Sequence, residues 1–374
     1  MDSLAYVREA PEPEEAPPML SSGALAWAKA NLFSSIGSSL VTIGCIAFLA
    51  YFLPQLIAWA TTHAVWSASD GALCRQHQDG ACWAFVMAKW DYLRFGSYPI
   101  AQRWRVDAVE AVGAVLIVWL LWTGAPRRAW AALLFFVVYP ILALILLRGS
   151  SLLGLPIVDT GLWGGIFVSL LTAIVGIAFS LPLGVLLALG RRSPLPVVRT
   201  ASVVFIEFVR GVPFITVLFM ANNLLPLFLP EAWTPYRLLR PLAGIVIFSA
   251  AYMAEEVRGG LQSLGRGQYE ASMALGLNYP RMMALVILPQ ALTLVIPGIV
   301  NNFIGLFMDT TLVSVVGVTD FLEAMNNAMK DPVWAGPTIM VTGYVFAGIF
   351  YFCFCYGMAR YSAHIERILA KAHK

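Results

Sequence analysis

The fold class this sequence predicts is an all-α polytopic membrane protein of about eight transmembrane helices, and three observations predict it. Of 374 residues, 59% are apolar and 12% charged, with a mean hydropathy of +0.76. Surface-to-volume scaling does not let a soluble globule bury that share. Several apolar runs approach or exceed the ~20 residues that cross hydrocarbon as a helix. Arginines gather in alternate connections, as the orientation rule for membrane chains requires. The net charge of +3 is too small to select a partner, and nothing in it points to nucleic acid.

The chain opens on MDSLAYVREAPEPEEAPPML, acidic and proline-rich. A secretory signal needs a basic start and an apolar core, so residues 1–22 read as a disordered cytoplasmic tail. SGALAWAKANLFSS, residues 22–35, reads as a short helix on the membrane surface with Trp27, Lys29 and Phe33 near the headgroups, or as an extension of the first span.

Spans are expected near 40–62, 106–124, 129–148, 162–190, 200–224, 239–257, 286–318 and 338–360. Arg127 and Arg128, then Arg191, Arg192 and Arg199, then Arg258, Arg266 and Arg281, and finally Arg360, Arg367, Lys371 and Lys374 all fall on one side. That side is cytoplasmic, and both termini lie there. The 63–105 loop is then periplasmic. It carries Arg75, Lys89, Arg94, Arg103 and Arg105, diluted by Asp70, Asp79 and Asp91. Residues 1–38 form the tail and interfacial helix, 39–158 an accessory transmembrane part, and 159–374 the main transmembrane core.

Cys45, Cys353 and Cys355 fall in apolar spans as packing residues. Cys74 and Cys82 share the periplasmic loop and are candidates for a disulfide. A metal site is not expected, since His77 is the only other conventional ligand nearby. Trp66, Trp83, Trp90 and Trp104 suit either a folded cap or headgroup anchors.

The connection 259–285 is longer than the ~2–8 residues that join packed helices. Gly259, Gly260, Gly265 and Gly267 supply turns, and helix formers run from Gln268 to Leu275. Gly276 suits a C-cap. Asn278 suits the N-cap of a second short helix, with Pro280 in its first turn. Pro289 marks a bend into span seven. Two short helices joined at Gly276 can fill a groove on a soluble partner.

Charges inside spans are costly and mark candidate sites. Glu207 and Arg210 lie three apart on one helix face, either paired with each other or facing a zwitterion. The 286–318 run exceeds one straight crossing. A break is expected near Met308, Asp309 and Thr310, with Thr310 or Thr311 capping a second half-helix. The N–H groups there would meet a carboxylate, Asp309 an amino group, and Asn301 and Asn302 would add neutral donors and acceptors. The bland reading of Asp309 is a helix cap.

The stretch GQYEASMALGLNYPRMMALVILPQA, 267–291, resembles the "EAA" signature of ABC importer permeases. Glu270, Ala271 and Ser272 stand at its start, Gly276 and Leu277 at its glycine, Arg281 within it, and Ile287, Leu288 and Pro289 at its close. Ser272 departs from the usual alanine. FIEFVRGVPFITVLFM, 205–220, and SAAYMAEEVRGGLQSLGRGQYEASMALGL, 249–277, resemble segments of the polar amino-acid (histidine, glutamate and general L-amino-acid) permeases. The resemblance covers about 160–360, the five-span type I core. Three extra N-terminal spans and NLFSS, 31–35, resemble the larger permease of the proteobacterial general L-amino-acid importers.

That resemblance implies an inner-membrane subunit whose EAA loop docks on a cytoplasmic ATPase dimer. It also implies a second, related permease in a heterodimer, a periplasmic binding protein and an L-amino-acid substrate. The family often has Lys where this chain has Met308, which removes a cation from the expected path. No Gly-x-x-x-x-Gly-Lys-Ser/Thr run occurs, nor any HExxH, CxxC or nucleophile elbow. The chain reads as non-catalytic and without a cofactor of its own, with ATP and Mg on the partner. The alternative is an ion-gradient-driven transporter using Glu207, Asp309 and Asp159, which the lack of an inverted repeat disfavours.

Overall fold

The computed structural model describes residues 23–122, 124–230 and 234–372. The tail expected over 1–22, and Lys374, lie outside them. The chain divides into two compact units, one running to Ala64 with Asp79–Ala81, the other holding the rest.

In the first unit, α1 (Ala24–Asn31) stops before α2 (Ile36–Ala60). Ser35 and Ser38 form a reciprocal capping box, each hydroxyl accepting the other's backbone N–H at 3.1 Å. The 22–35 stretch is therefore a separate helix and not an extension of the span. Helix α2 is apolar all round and buries none of its residues, the pattern of a helix whose neighbours are lipid.

The second unit contains α3 (Ala72–Gln76), α4 (Trp83–Phe95), α5 (Trp104–Leu121), α6 (Arg128–Arg148), α7 (Ile166–Arg191), α8 (Pro196–Gly211), α9 (Phe214–Phe228), α10 (Leu239–Ser263), α11 (Arg266–Ala274), α12 (279–294), α13 (Ile296–Val316), α14 (Phe321–Met329) and α15 (Pro337–Ala372). Helices α2, α6, α7, α13 and α15 are each long and apolar enough to cross a membrane, and the α8–α9 pair makes a sixth if counted as one span. Helices α5 and α10 occupy the remaining two expected positions and carry more charge, including Arg105, Asp107 and Glu110 on one and Glu255, Glu256 and Arg258 on the other.

Two expected spans are not straight. The 200–224 run is bent by 109° between α8 and α9. Val212 is extended there, as a residue before proline prefers, and Pro213 opens the next helix. The 286–318 run is interrupted at Val295, just before Pro297. At Pro289 the helix is not interrupted. Helical residues continue from 279 to 294, and a π turn over Met283–Ile287 precedes the proline. Across that wider turn the Leu288 N–H bonds to the Met283 carbonyl, and the helix reaches the proline unbroken.

Helices α7 and α10 form the centre of the bundle. A Cβ on Gly184 would stand 2.6 Å from the Met253 Cβ, so the glycine is what lets the two backbones approach. Around them lie one apolar cluster with Tyr98, Trp163, Phe167 and Phe307, and another with Met253, Val257, Met282 and Ile287.

The 65–78 and 82–105 stretches of this unit are folded against its core and are more than a string of anchors. Cys74 and Cys82 are joined as a buried disulfide, their Cα atoms 5.8 Å apart. Arg75 donates to the carbonyls of Val333 and Ala335 at 3.3 and 3.2 Å, and Lys89 pairs with Asp331. Trp66, Trp90 and Trp104 stay exposed. Cys45 and Cys353 also face outward from the chain rather than packing inside it.

Candidate coupling segment and translocation path

Local chemistry builds the 264–294 segment. Leu264 is extended and ends α10; α11 follows from Arg266. The turn after α11 is closed by Gly276 at φ +74°, a left-handed conformation in which a Cβ would be strained. Leu277 N–H then returns to the Ser272 carbonyl at 3.2 Å. Asn278 caps α12 by accepting the Arg281 N–H at 3.2 Å, with Pro280 in the first turn.

The inner face of this segment is anchored. Arg192 donates to the Tyr269 hydroxyl at 3.0 Å and to the Leu261 carbonyl at 3.1 Å. Gln290 reaches Gln268 at 3.1 Å. Ser272 is buried, its hydroxyl donating to the Gln268 carbonyl at 2.7 Å, while Leu277, Met282 and Ile287 join an apolar cluster. Burial pushes the Tyr279 phenol up, opposed by Arg192. The outer face is free: Glu270, Ala271, Gly276, Arg281 and Pro289 are exposed, and Leu275 and Met273 are 80% and 57% exposed. Two bare apolar side chains beside a glycine, on a polar rigid support, form a knob.

Glu207 and Arg210 do not pair with each other. Glu207 takes Arg191 at 2.8 Å, and Arg210 stands 3.5 Å from Glu255. Glu255 also accepts from Arg191 at 2.8 Å and from Arg258 at 2.6 Å. Helices α7, α8 and α10 are thus tied by a cluster of three arginines and two glutamates. Sequence reading singled out two of the five. The available signal was that Glu255 and Arg258 also lie in or beside a span, three residues apart. Glu256 was missed as well: a Cβ on Gly298 would lie 2.1 Å from its carboxylate, which places that charge against the first turn of α13, where the helix dipole favours an anion.

In α13 the α-helix gives way to a 3-10 turn at Thr310, so a change does occur at the expected place. The caps do not. The Thr310 hydroxyl donates back to Phe307 at 2.8 Å and that of Thr311 to Met308 at 2.9 Å, so the helical path continues and no half-helix with free N–H groups begins there. Asn302 and Asp309 lie seven residues apart and share a face. Among the described residues, the side chains of Asn301, Asn302 and Asp309 have no hydrogen-bond partner.

Residues 180–367 match the model of the family described as "Binding-protein-dependent transport system inner membrane component". The chain is 46% identical to the inner membrane amino-acid ABC transporter permease protein YhdY of Escherichia coli (strain K12), over 93% of each chain. It is 36% identical, over the full length of both, to the glutamate/glutamine/aspartate/asparagine transport system permease protein BztC of Rhodobacter capsulatus. A solved amino acid ABC transporter with histidines aligns at 24% identity and TM-score 0.47, covering 54% of this chain and 91% of that one. With its matched region running from the second half of α7 through α8, α9 and α10 to the Gly276 segment and beyond, this chain belongs to the family of binding-protein-dependent transport system inner membrane components.

Proposed function

We propose that the chain is the permease subunit of an ATP-driven importer that carries polar L-amino acids across the bacterial inner membrane by alternating access, with both termini cytoplasmic. The observation that carries this reading is the Gly276 knob, exposed at its tip and anchored behind, within the family-matched region. The names of the two full-length relatives support amino acids as cargo.

In this reading a separate ATPase dimer, holding ATP and Mg, grips the knob through Glu270, Ala271, Gly276 and Arg281. Ser272, Leu277 and Pro289 keep it stiff. A second, related permease completes the pathway, and a periplasmic binding protein delivers the amino acid. ATP-driven closure moves the knob; because α10 leads straight into it, the push reaches α7 and α8 through the cluster around Glu255. The cargo passes Asn301, Asn302, Asp309, Thr310 and Thr311 on α13, with Glu207 and Arg210 beside the cytoplasmic exit. The chain itself supplies no phosphate cradle, so hydrolysis stays on the partner. The gradient-driven alternative gains no support from the family match.

Gly276→Asp tests the reading. Placing a charge at the docking joint is expected to abolish ATP-driven uptake while the chain still inserts in the membrane. Full ATP-coupled transport by that variant, or gradient-driven uptake by the reconstituted chain alone, counts against it.

A further inference from the structure

Two threonines in the first turns of α15 are buried, Thr342 at 0% exposure and Thr338 at 6%. Four apart, they stand on one face of the helix. The Cys82 N–H donates to the Thr342 hydroxyl at 2.9 Å, and the Thr338 hydroxyl donates to the Cys74 carbonyl at 3.4 Å. Each half of the disulfide thus bonds one threonine through its backbone. The spacings match: four helical residues rise ~6 Å, and the bonded cysteines hold their Cα atoms 5.8 Å apart. Without the sulfur bridge, a connection eight positions long leaves that separation free to vary.

The rest of the contact is built around the same place. The Gly71 N–H donates to the Val333 carbonyl at 3.1 Å, and Arg75 reaches the carbonyls of Val333 and Ala335. Trp334 is buried against the ring of Phe85. A Cβ on Gly71 would stand 2.9 Å from the Trp334 Cα, so the two backbones meet there. Both cysteines are 1% exposed under this cover. Thiol–disulfide exchange needs a second sulfur to reach the first, and the docked arrangement gives it no path. The bond therefore closes first, and docking follows.

We infer that the Cys74–Cys82 bond is an assembly checkpoint, closed by a disulfide-bearing thiol oxidant before α3 and α4 dock on the start of α15. One thiolate attacks the oxidant's disulfide and forms a mixed disulfide; the other displaces it. Two thiols become one disulfide, the oxidant's disulfide becomes two thiols, and the thiol protons pass to it in the balance. Only the closed loop then presents the Cys74 carbonyl and the Cys82 N–H at the separation that Thr338 and Thr342 require. The inference goes beyond the transport reading and takes from it only the side of the membrane, outside, where such oxidants work.

The experiment reduces the full chain, purified in detergent, with dithiothreitol and follows maleimide labelling of each cysteine by mass spectrometry. Exposed Cys45 and Cys353 show that the label reaches the protein. The bond is expected to open at least about tenfold more slowly in the folded chain than in denaturant. Thr338→Val with Thr342→Val keeps both cysteines, and its folded rate is expected to rise about tenfold or more. Chain synthesised with dithiothreitol outside the cells is expected to be cut by protease within 65–105 only, where oxidised chain is resistant. Equal rates in folded and denatured parent, or an unchanged rate in the threonine variant, overturns the inference. So does a reduced chain as resistant as the oxidised one, or one degraded throughout, since the bond would then serve no docking step or the whole fold. Should the threonine variant fail to fold, the reduced and oxidised parent decide. Uptake is not among the readouts, so a failure of the permease reading would show separately.

Discussion

Arg258 places Nη2 and Nε on one oxygen of Glu255, at 2.6 and 2.9 Å. Glu255 is the hub of the cluster, because Arg191 and Arg210 turn to it as well. Its side chain is only 14% exposed, against 55% for Glu207. Removing the hub leaves Arg210 and Arg258 without a carboxylate and Arg191 with Glu207 alone, whereas removing Glu207 leaves Arg191 its bond to Glu255.

Glu255→Gln is therefore expected to destabilise the chain by about 3 kcal/mol, and Glu207→Gln by less than about 1 kcal/mol. Chemical unfolding of the two purified variants, side by side, checks the order. Equal losses would mean that Glu255 is not the hub.

Asp320 offers a pH test. It caps α14 by accepting the N–H groups of Leu322 and Glu323 at 3.0 and 3.1 Å. Burial nevertheless raises its pKa from the ordinary 3.8 to about 6, with those two bonds opposing. A carboxyl whose folded value is raised binds more protons folded than unfolded, so its contribution to stability falls as pH rises between about 4 and 6. Asp320→Asn keeps a capping oxygen and removes the charge. The variant's unfolding midpoint, relative to the parent, is expected to climb across that window and then level off. A difference independent of pH would show that Asp320 does not titrate there.

The disulfide closes a short loop, with Cys74 and Cys82 eight positions apart. Loop-closure entropy alone makes such a bond worth about 2–3 kcal/mol. Here it also frames the Arg75 bonds to Val333 and Ala335. The double variant Cys74→Ser, Cys82→Ser is expected to unfold earlier by that amount. In the unreduced, denatured parent, maleimide should label three cysteines and spare these two; labelling of all five would contradict the bond.

At Gly276 the constraint is handedness and not space, since nothing lies within 4 Å of where a Cβ would stand. Ala there costs about 1–2 kcal/mol of local conformation, and Asn less because it tolerates the left-handed region. ATP-driven uptake, normalised to membrane abundance, is expected to fall further in Gly276→Ala than in Gly276→Asn. The reverse order would assign Gly276 a steric role.

Much of the coupling segment was legible in the sequence because its signals are local. Gly276, Asn278 and Pro280 each act within one turn of their own position, and the two-helix joint follows. The span positions followed equally from apolar runs. What could not be read depends on neighbours. Three-residue spacing put Glu207 and Arg210 on one face, but whether they meet is decided by how closely Arg191 on α7 and Glu255 on α10 approach α8. The helix runs through Pro289 by way of a π turn, which has no short sequence signature. Thr310 and Thr311 suit a cap by type, yet their hydroxyls bond backward to Phe307 and Met308, an equally local choice that composition does not distinguish.

The central claim is that the knob beside Gly276 is where an ATP-hydrolysing subunit pushes. Leu275, its most exposed large apolar residue, is the place to ask. A photo-crosslinking residue at position 275 of the assembled transporter should yield an adduct with the ATPase, in an amount that changes when ATP is bound. Absence of that adduct, or crosslinking there to a protein on the external side of the membrane, would contradict the account.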